Sequence, residues 1–199
     1  MITTAEMRRL EDKAEQQGTS RLILMERAGK SIAEAIQNRF KDKNTKILFI
    51  CYHGNNGGDG FCAARYLMEA DYNAKVFFIG KETKLKDEAR TNHDMLMSIN
   101  PDIFVKGFDI HTYDVIVDCI LGTGTKGQLK ENIATTVAAI NESEAFKISI
   151  DVPTGINPDT GEESNVYVKA DLTITMHDIK QGLKERKEKI LILDLGLPS

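Results

Sequence analysis

The chain has 199 residues, 41% hydrophobic and 28% charged, enough for one domain with a substantial core and a squeeze for two. A formal net charge of −4 and a pI near 5.6 argue against a broad basic surface for nucleic acid. No apolar run approaches the ~20 residues that span a bilayer, and the N-terminus lacks a charged-then-apolar signal layout, so no membrane association and a cytoplasmic location are expected.

Met7, Leu10 and Ala14 recur at helical spacing after Thr3 and Thr4, either of which suits an N-cap. A second, longer helix is written after Gly18 by Leu22, Met25, Gly29, Ile32, Ile36 and Phe40. Both precede the first apolar run, so they form a helical addition packed on a sheet. From there strands alternate with helices: a strand over 46–51, a helix over 59–70, a strand over 74–79, a helix over 84–98, and strands over 102–105 and 113–118. A helix carrying Ile133, Val137 and Ile140 follows, then strands over 146–151, 170–176 and 190–194. Apolar runs separated by helical stretches predict an α/β fold: a Rossmann-like, doubly wound, mostly parallel sheet with helices on both faces. The chain reads as a single domain. Cys51, Cys62 and Cys119 are odd in number and lack paired spacing, so they read as buried reduced thiols.

Three expected strands end in polar, glycine-bearing loops, and in such sheets ligands sit outside the carboxyl ends of strands. The first loop is Gly54-Asn55-Asn56-Gly57-Gly58-Asp59-Gly60, read as a turn whose glycines reach positive φ and open a helix N-terminus suited to phosphate. The second follows Asp118 and contains Gly122-Thr123-Gly124-Thr125-Lys126-Gly127-Gln128. The third is Asp151-Val152-Pro153-Thr154-Gly155. If they converge, Asn56, Asp118 and Thr154 contribute neighbouring oxygens, while Asp59, Lys126 and Asp151 are the titratable groups for acid–base work. His53 is a weaker candidate base. His93, His111 and His177 have no partner at zinc-ligand spacing. The glycines do not follow G-x-G-x-x-G, a Walker loop would need Gly-Lys-Ser/Thr where Gly58-Asp59-Gly60 stands, and no G-x-S-x-G elbow is present.

Taken together the three loops resemble the NAD(P)HX epimerases, the YjeF N-terminal domain family, over nearly the whole chain. Weaker echoes are Leu24-Met25-Glu26-Arg27-Ala28-Gly29, and Ala170 to Thr175 with Lys180, Gly182 and Leu183. The resemblance implies an isomerase that interconverts the R and S epimers of hydrated NADH and NADPH, in functional coupling with a dehydratase specific for one epimer. It implies nucleotide contacts at Asn55, Asn56, Gly57, Gly58 and Asp59, at residues 122–128, and at Asp151. It also implies one potassium ion at Asn56, Asp118 and Thr154, and a homodimer. Asp151 or Asp59 would exchange the proton of the C6 hydroxyl, while Lys126 would hold phosphate or water. Tyr52-His53 precede the first motif where the family commonly has glycine or proline, Thr154 replaces a serine, and Met176 a phenylalanine. The same fold also serves as a non-catalytic dimerisation and RNA- or partner-binding module in decapping-enhancer proteins. The ending Leu193 to Ser199 resembles the point at which a dehydratase domain begins, so the chain is also read as the first domain of a longer bifunctional repair enzyme.

Overall fold

The computed structural model describes residues 1–85 and 87–198; Lys86, within the fourth expected helix, and Ser199, in the C-terminal stretch, lie outside them. Among the described residues, seven strands form one sheet: β1 (Ile47–Cys51), β2 (Ala74–Phe78), β3 (Phe104–Val105), β4 (Val115–Cys119), β5 (Phe146–Ile150), β6 (Leu172–Met176) and β7 (Lys189–Leu193). Their order is β3-β2-β1-β4-β5-β6-β7, and every neighbouring pair is parallel. β1 and β4 are buried along their whole length, which explains why β1 reads as an unbroken apolar run and β4 as one interrupted only by Asp118, rather than as alternating strands.

Successive side chains of β1 serve two cores. Ile47, Phe49 and Cys51 pack with α2 (Arg21–Arg39) and α3 (Asn55–Glu69) through Ile32, Ile36, Phe61 and Leu67, and Ala89 and Leu96 of α4 (Asp87–Ile99) join the same core. Leu48 and Ile50 face Ile133, Val137 and Ile140 of α5 (Glu131–Glu142). Helices therefore cover both faces, as a doubly wound sheet requires. The strand expected over 102–105 shortens to two residues because Pro101 starts a tight 3-10 turn over Pro101–Ile103.

The N-terminal helices do more than cover the sheet. Thr3 caps α1 (Thr4–Gln16) in a reciprocal box with Glu6, and Ser20 caps α2. Before α1, Ile2 pairs with the chain beyond β6: its N–H donates to the Ile179 carbonyl at 2.9 Å, and the Gln181 N–H donates to its carbonyl at 3.2 Å. The Thr4 N–H and hydroxyl both donate to Asp159 at 2.7 Å. These bonds hold α1 over the carboxyl ends of the strands. No helix among the described residues is long and apolar enough to cross a membrane.

Candidate active site

The chain leaves β1 toward β2 on one side and leaves β4 toward β5 on the other, so the sheet reverses its winding between β1 and β4. That junction is where loops part and leave room for a ligand. The glycine-rich stretch lies there, but as the first turns of α3, which begins at Asn55 rather than at 59. Gly54 is the N-cap, and none of Gly54, Gly57, Gly58 and Gly60 has positive φ. The expectation of a left-handed turn is corrected: the glycines are required by close approach. A Cβ on Gly57 would overlap the Tyr52 carbonyl, and one on Gly60 would lie 2.7 Å from Cys119 Cβ and Cys51 Sγ. The helix start is thus pressed into the sheet end with its first N–H groups facing the gap. Asn56 is buried there, and both polar atoms of its amide lack a hydrogen-bond partner.

A cavity of about 430 Å³ opens over this junction. Its floor is formed by Gly54, Asn55, Asn56 and Asp59, the loop from Ile120 to Gly124, and Asp151; its roof by Met7, Arg8 and Glu11 of α1 with Arg21 and Met25 of α2. Arg21 ties the two roof helices together, pairing with Asp12, with Glu11 at 3.2 Å and with Glu15 at 3.3 Å.

Asp151 follows β5 in a left-handed conformation, φ 67°, and the Val152 N–H closes a tight turn back to the Ile150 carbonyl at 2.9 Å. Its Oδ2 accepts the Thr123 N–H at 2.9 Å, and its Oδ1 meets Lys180 Nζ at 2.8 Å. A Cβ on Gly122 would stand 2.6 Å from Oδ2, so only glycine lets the second loop approach this carboxylate. Asp59 faces the same group. Burial raises its carboxyl well above the usual range, the charges of Asp151 and Glu11 raise it further, and Lys180 draws it back. Burial likewise pushes Glu11 up, against the pull of Arg21.

Asp118 lies beneath, buried and hydrogen-bonded through both oxygens. Its carboxylate accepts the Thr154 hydroxyl at 2.7 Å, the Thr154 N–H at 2.9 Å, the Ser149 hydroxyl at 2.9 Å and the Ile120 N–H at 3.2 Å. Burial raises its carboxyl and these donors oppose the rise. The Thr154 hydroxyl in turn accepts the Leu121 N–H at 3.0 Å, which ties the second loop to the third.

The expected residues divide accordingly. Asn55, Asn56, Asp59, Gly122, Thr123, Gly124 and Asp151 line the cavity. Gly57 and Gly58 are buried in α3 behind that lining. The structure does not bring Lys126 to the two aspartates: it is exposed, and the loop beyond Gly124 runs to a second hollow of about 370 Å³ lined by Thr125, Gly127 and Gln128. The lysine beside Asp151 is Lys180, a motif echo in the sequence to which no role attached. Beyond that echo no local signal gives it a role, because its charge acquires meaning only once β5 and β6 are known to be neighbours. Arg8, Glu11 and Arg21 were missed for the same reason, as polar positions of amphipathic helices. His53 stacks on Tyr52 with ring centroids 3.8 Å apart and does not line the cavity.

A family model described as "YjeF-related protein N-terminus" matches residues 21–182. The chain belongs to this YjeF N-terminal family. Among family relatives, the chain is 36% identical to "NAD(P)H-hydrate epimerase" of Nitrosopumilus maritimus, with 99% of this chain and 95% of that protein covered. It is 37% identical to "Bifunctional NAD(P)H-hydrate repair enzyme Nnr" of Methanothermobacter thermautotrophicus, with 93% of this chain covered but only 38% of that protein. The chain thus spans well under half the length of such bifunctional relatives. The YjeF N-terminal fold is matched by the crystal structure of yeast ynu0 at a TM-score of 0.83 and 22% identity, covering 98% of this chain and 87% of that one.

Proposed function

We propose that this chain is an NAD(P)H-hydrate epimerase, an isomerase interconverting the R and S epimers of NADHX and NADPHX. The observation that carries the reading is the pair of carboxyls at the switch point. Asp59 is driven toward its neutral form while Asp151, lining the same cavity, is held by donors on both oxygens. A carboxyl that burial drives toward its neutral form, in the same cavity as a carboxylate gripped by donors on both oxygens, is what a reversible proton exchange needs. The near full-length likeness to a relative named for this activity supports the same reading.

The substrate carries a hydroxyl on ring carbon C6, next to the ring nitrogen. Asp59 donates its proton to that hydroxyl, the C6–O bond breaks, water leaves, and the nitrogen lone pair closes a C6–N iminium. Asp151 stabilises the cation by charge. Water then adds to the opposite face of C6 and returns a proton to the pair, so atoms and charge balance. The first N–H groups of α3 and Arg8 at the cavity wall suit the pyrophosphate, and exposed Lys126 suits phosphate at the outer end of the loop.

A potassium ion belongs to the same proposal. The unpartnered Asn56 amide, the Asp118 carboxylate and the Thr154 hydroxyl are hard oxygen donors, and a buried amide oxygen without a partner is a place a weakly hydrated cation fits. Such an ion would order the loops and offset phosphate charge. We also assign the chain a homodimeric state, supported by the exposed Leu22 and Ile23 on α2 and checked by light scattering; a cytoplasmic setting, checked by cell fractionation; and coupling to an NAD(P)HX dehydratase.

The deciding experiment presents R-NADHX together with an S-specific dehydratase and ATP, and follows the reappearance of NADH. Recovery faster than spontaneous epimerisation is expected on adding the chain. A folded sample that leaves the spontaneous rate unchanged sinks the reading.

A further inference from the structure

Lys180 is among the largest fully buried side chains of the molecule, at 0% exposure. A lysine ammonium has three protons, and here all are committed: to Asp151 Oδ1 at 2.8 Å, to the Met176 carbonyl at 2.8 Å and to the Thr175 hydroxyl at 3.1 Å. None is left for substrate or phosphate. The pairing of Ile2 with residues 179–181 covers the same segment. An ammonium removed from water is tolerated only beside an anion, and among the described residues the one carboxylate in contact with Nζ is that of Asp151.

We propose that Lys180 is a positioning residue for the reaction: its sealed ammonium fixes Asp151 as the charged member of the Asp59–Asp151 pair and, with the Thr123 N–H, sets the plane of that carboxylate. The inference deepens the epimerase reading and rests on it. Two donors from different connections, one after β4 and one after β6, grip the two oxygens separately, so the carboxylate cannot rotate without losing one of them. The left-handed backbone at Asp151 adds a conformational cost that aiming this side chain would justify. Asp59, which burial drives toward its neutral form, is then the member that carries the proton for the exchange.

The charged groups around the pair are Glu11 from α1, Arg21 from α2 acting through Glu11, Lys180 itself and, on the same cavity wall, Arg8 and Asp12 of α1 and Glu88 of α4. Removing only the lysine charge therefore leaves Asp151 among carboxylates, and it should bind a proton more readily. In Lys180→Met we expect kcat to fall about 100-fold with KM changed less than about threefold. The acid limb of the rate profile should move up by about one to three pH units, so that rate is regained as pH rises. Lys180→Arg, which keeps the charge, should leave the acid limb in place.

Wild-type epimerisation is measured first. If it is absent, the epimerase reading falls and this inference with it. If it is present and Lys180→Met loses rate equally at every pH, Lys180 is structural and only this inference falls. Where Lys180→Met does not fold, the double variant Asp151→Asn with Lys180→Met, in which both charges are gone, is compared with Asp151→Asn alone. Less than about a threefold further loss is expected if the lysine acts through Asp151, and a further loss of about tenfold or more overturns the proposal.

Discussion

Burial pushes the Asp59 carboxyl above its ordinary value of 3.8, and this has a consequence for folding as well as for catalysis. At about pH 2.5, well below that ordinary value, the group is protonated in folded and unfolded chains alike. As pH rises the unfolded chain releases the proton while the folded chain keeps it, so stability declines from about pH 4 upward until the folded group also ionises. Asparagine imitates the neutral acid and never ionises. Asp59→Asn should therefore melt higher than wild type at pH 8, with the gap closing as pH falls well below 3.8, while losing epimerisation throughout. Equal melting temperatures at pH 8 would show that Asp59 is not held neutral. Asp151 behaves differently, because its substitution removes the anion beside a buried ammonium. Asp151→Asn is expected to lower kcat by about 10²–10⁴-fold with little change in KM. Loss of one partner of a buried pair also costs about 3–5 kcal/mol of stability, readable as a lower urea midpoint.

At the scale of elements, α3 shows where local pattern and tertiary packing disagree. Gly54 to Gly60 carries four glycines, a composition that opposes a helix by about 1 kcal/mol per glycine, and the sequence therefore reads as a turn. Packing overrides propensity because the helix must start against the end of β1, where Gly57 and Gly60 leave no space for a methyl group. Gly57→Ala is expected to cost about 3 kcal/mol or more, since the atom it meets is the Tyr52 backbone and cannot step aside. Gly54→Ala, with open space around its Cβ and φ −94°, should cost less than about 1 kcal/mol; chemical denaturation of the two variants separates packing from flexibility as the reason for the motif. The strands were legible because β1 and β4 are buried on both faces and so are written in apolar residues, Asp118 apart. The loops after β1, β4 and β5 were legible as a site for a related reason: strand-end carboxylates and glycines are not what a plain connection needs. Lys180 and the roof residues were not, because an amphipathic helix whose polar face covers a cavity has the same periodicity as one whose polar face meets water.

For the whole molecule, the order β3-β2-β1-β4-β5-β6-β7 puts the three loops together without any contact between them in sequence. Asp118 then works as a knot. It binds Ser149 on β5 and Thr154 beyond it, and Thr154 binds the Leu121 N–H, so the loops after β4 and β5 move as one body while Asn56 arrives from β1 with its amide unpaired. A cation bridging Asn56 to this knot would join the two halves of the sheet across the switch point, and its binding would appear as global stability. At a potassium concentration ten times its dissociation constant the gain is about 1.4 kcal/mol, or a rise of about 3–6 °C in melting temperature for a domain of this size. The wild type should therefore melt higher in potassium chloride than in sodium chloride of equal ionic strength. Asn56→Ala should melt alike in the two salts. A difference that survives in Asn56→Ala would place the ion elsewhere, and no difference in wild type would leave the Asn56 amide waiting for the nucleotide instead.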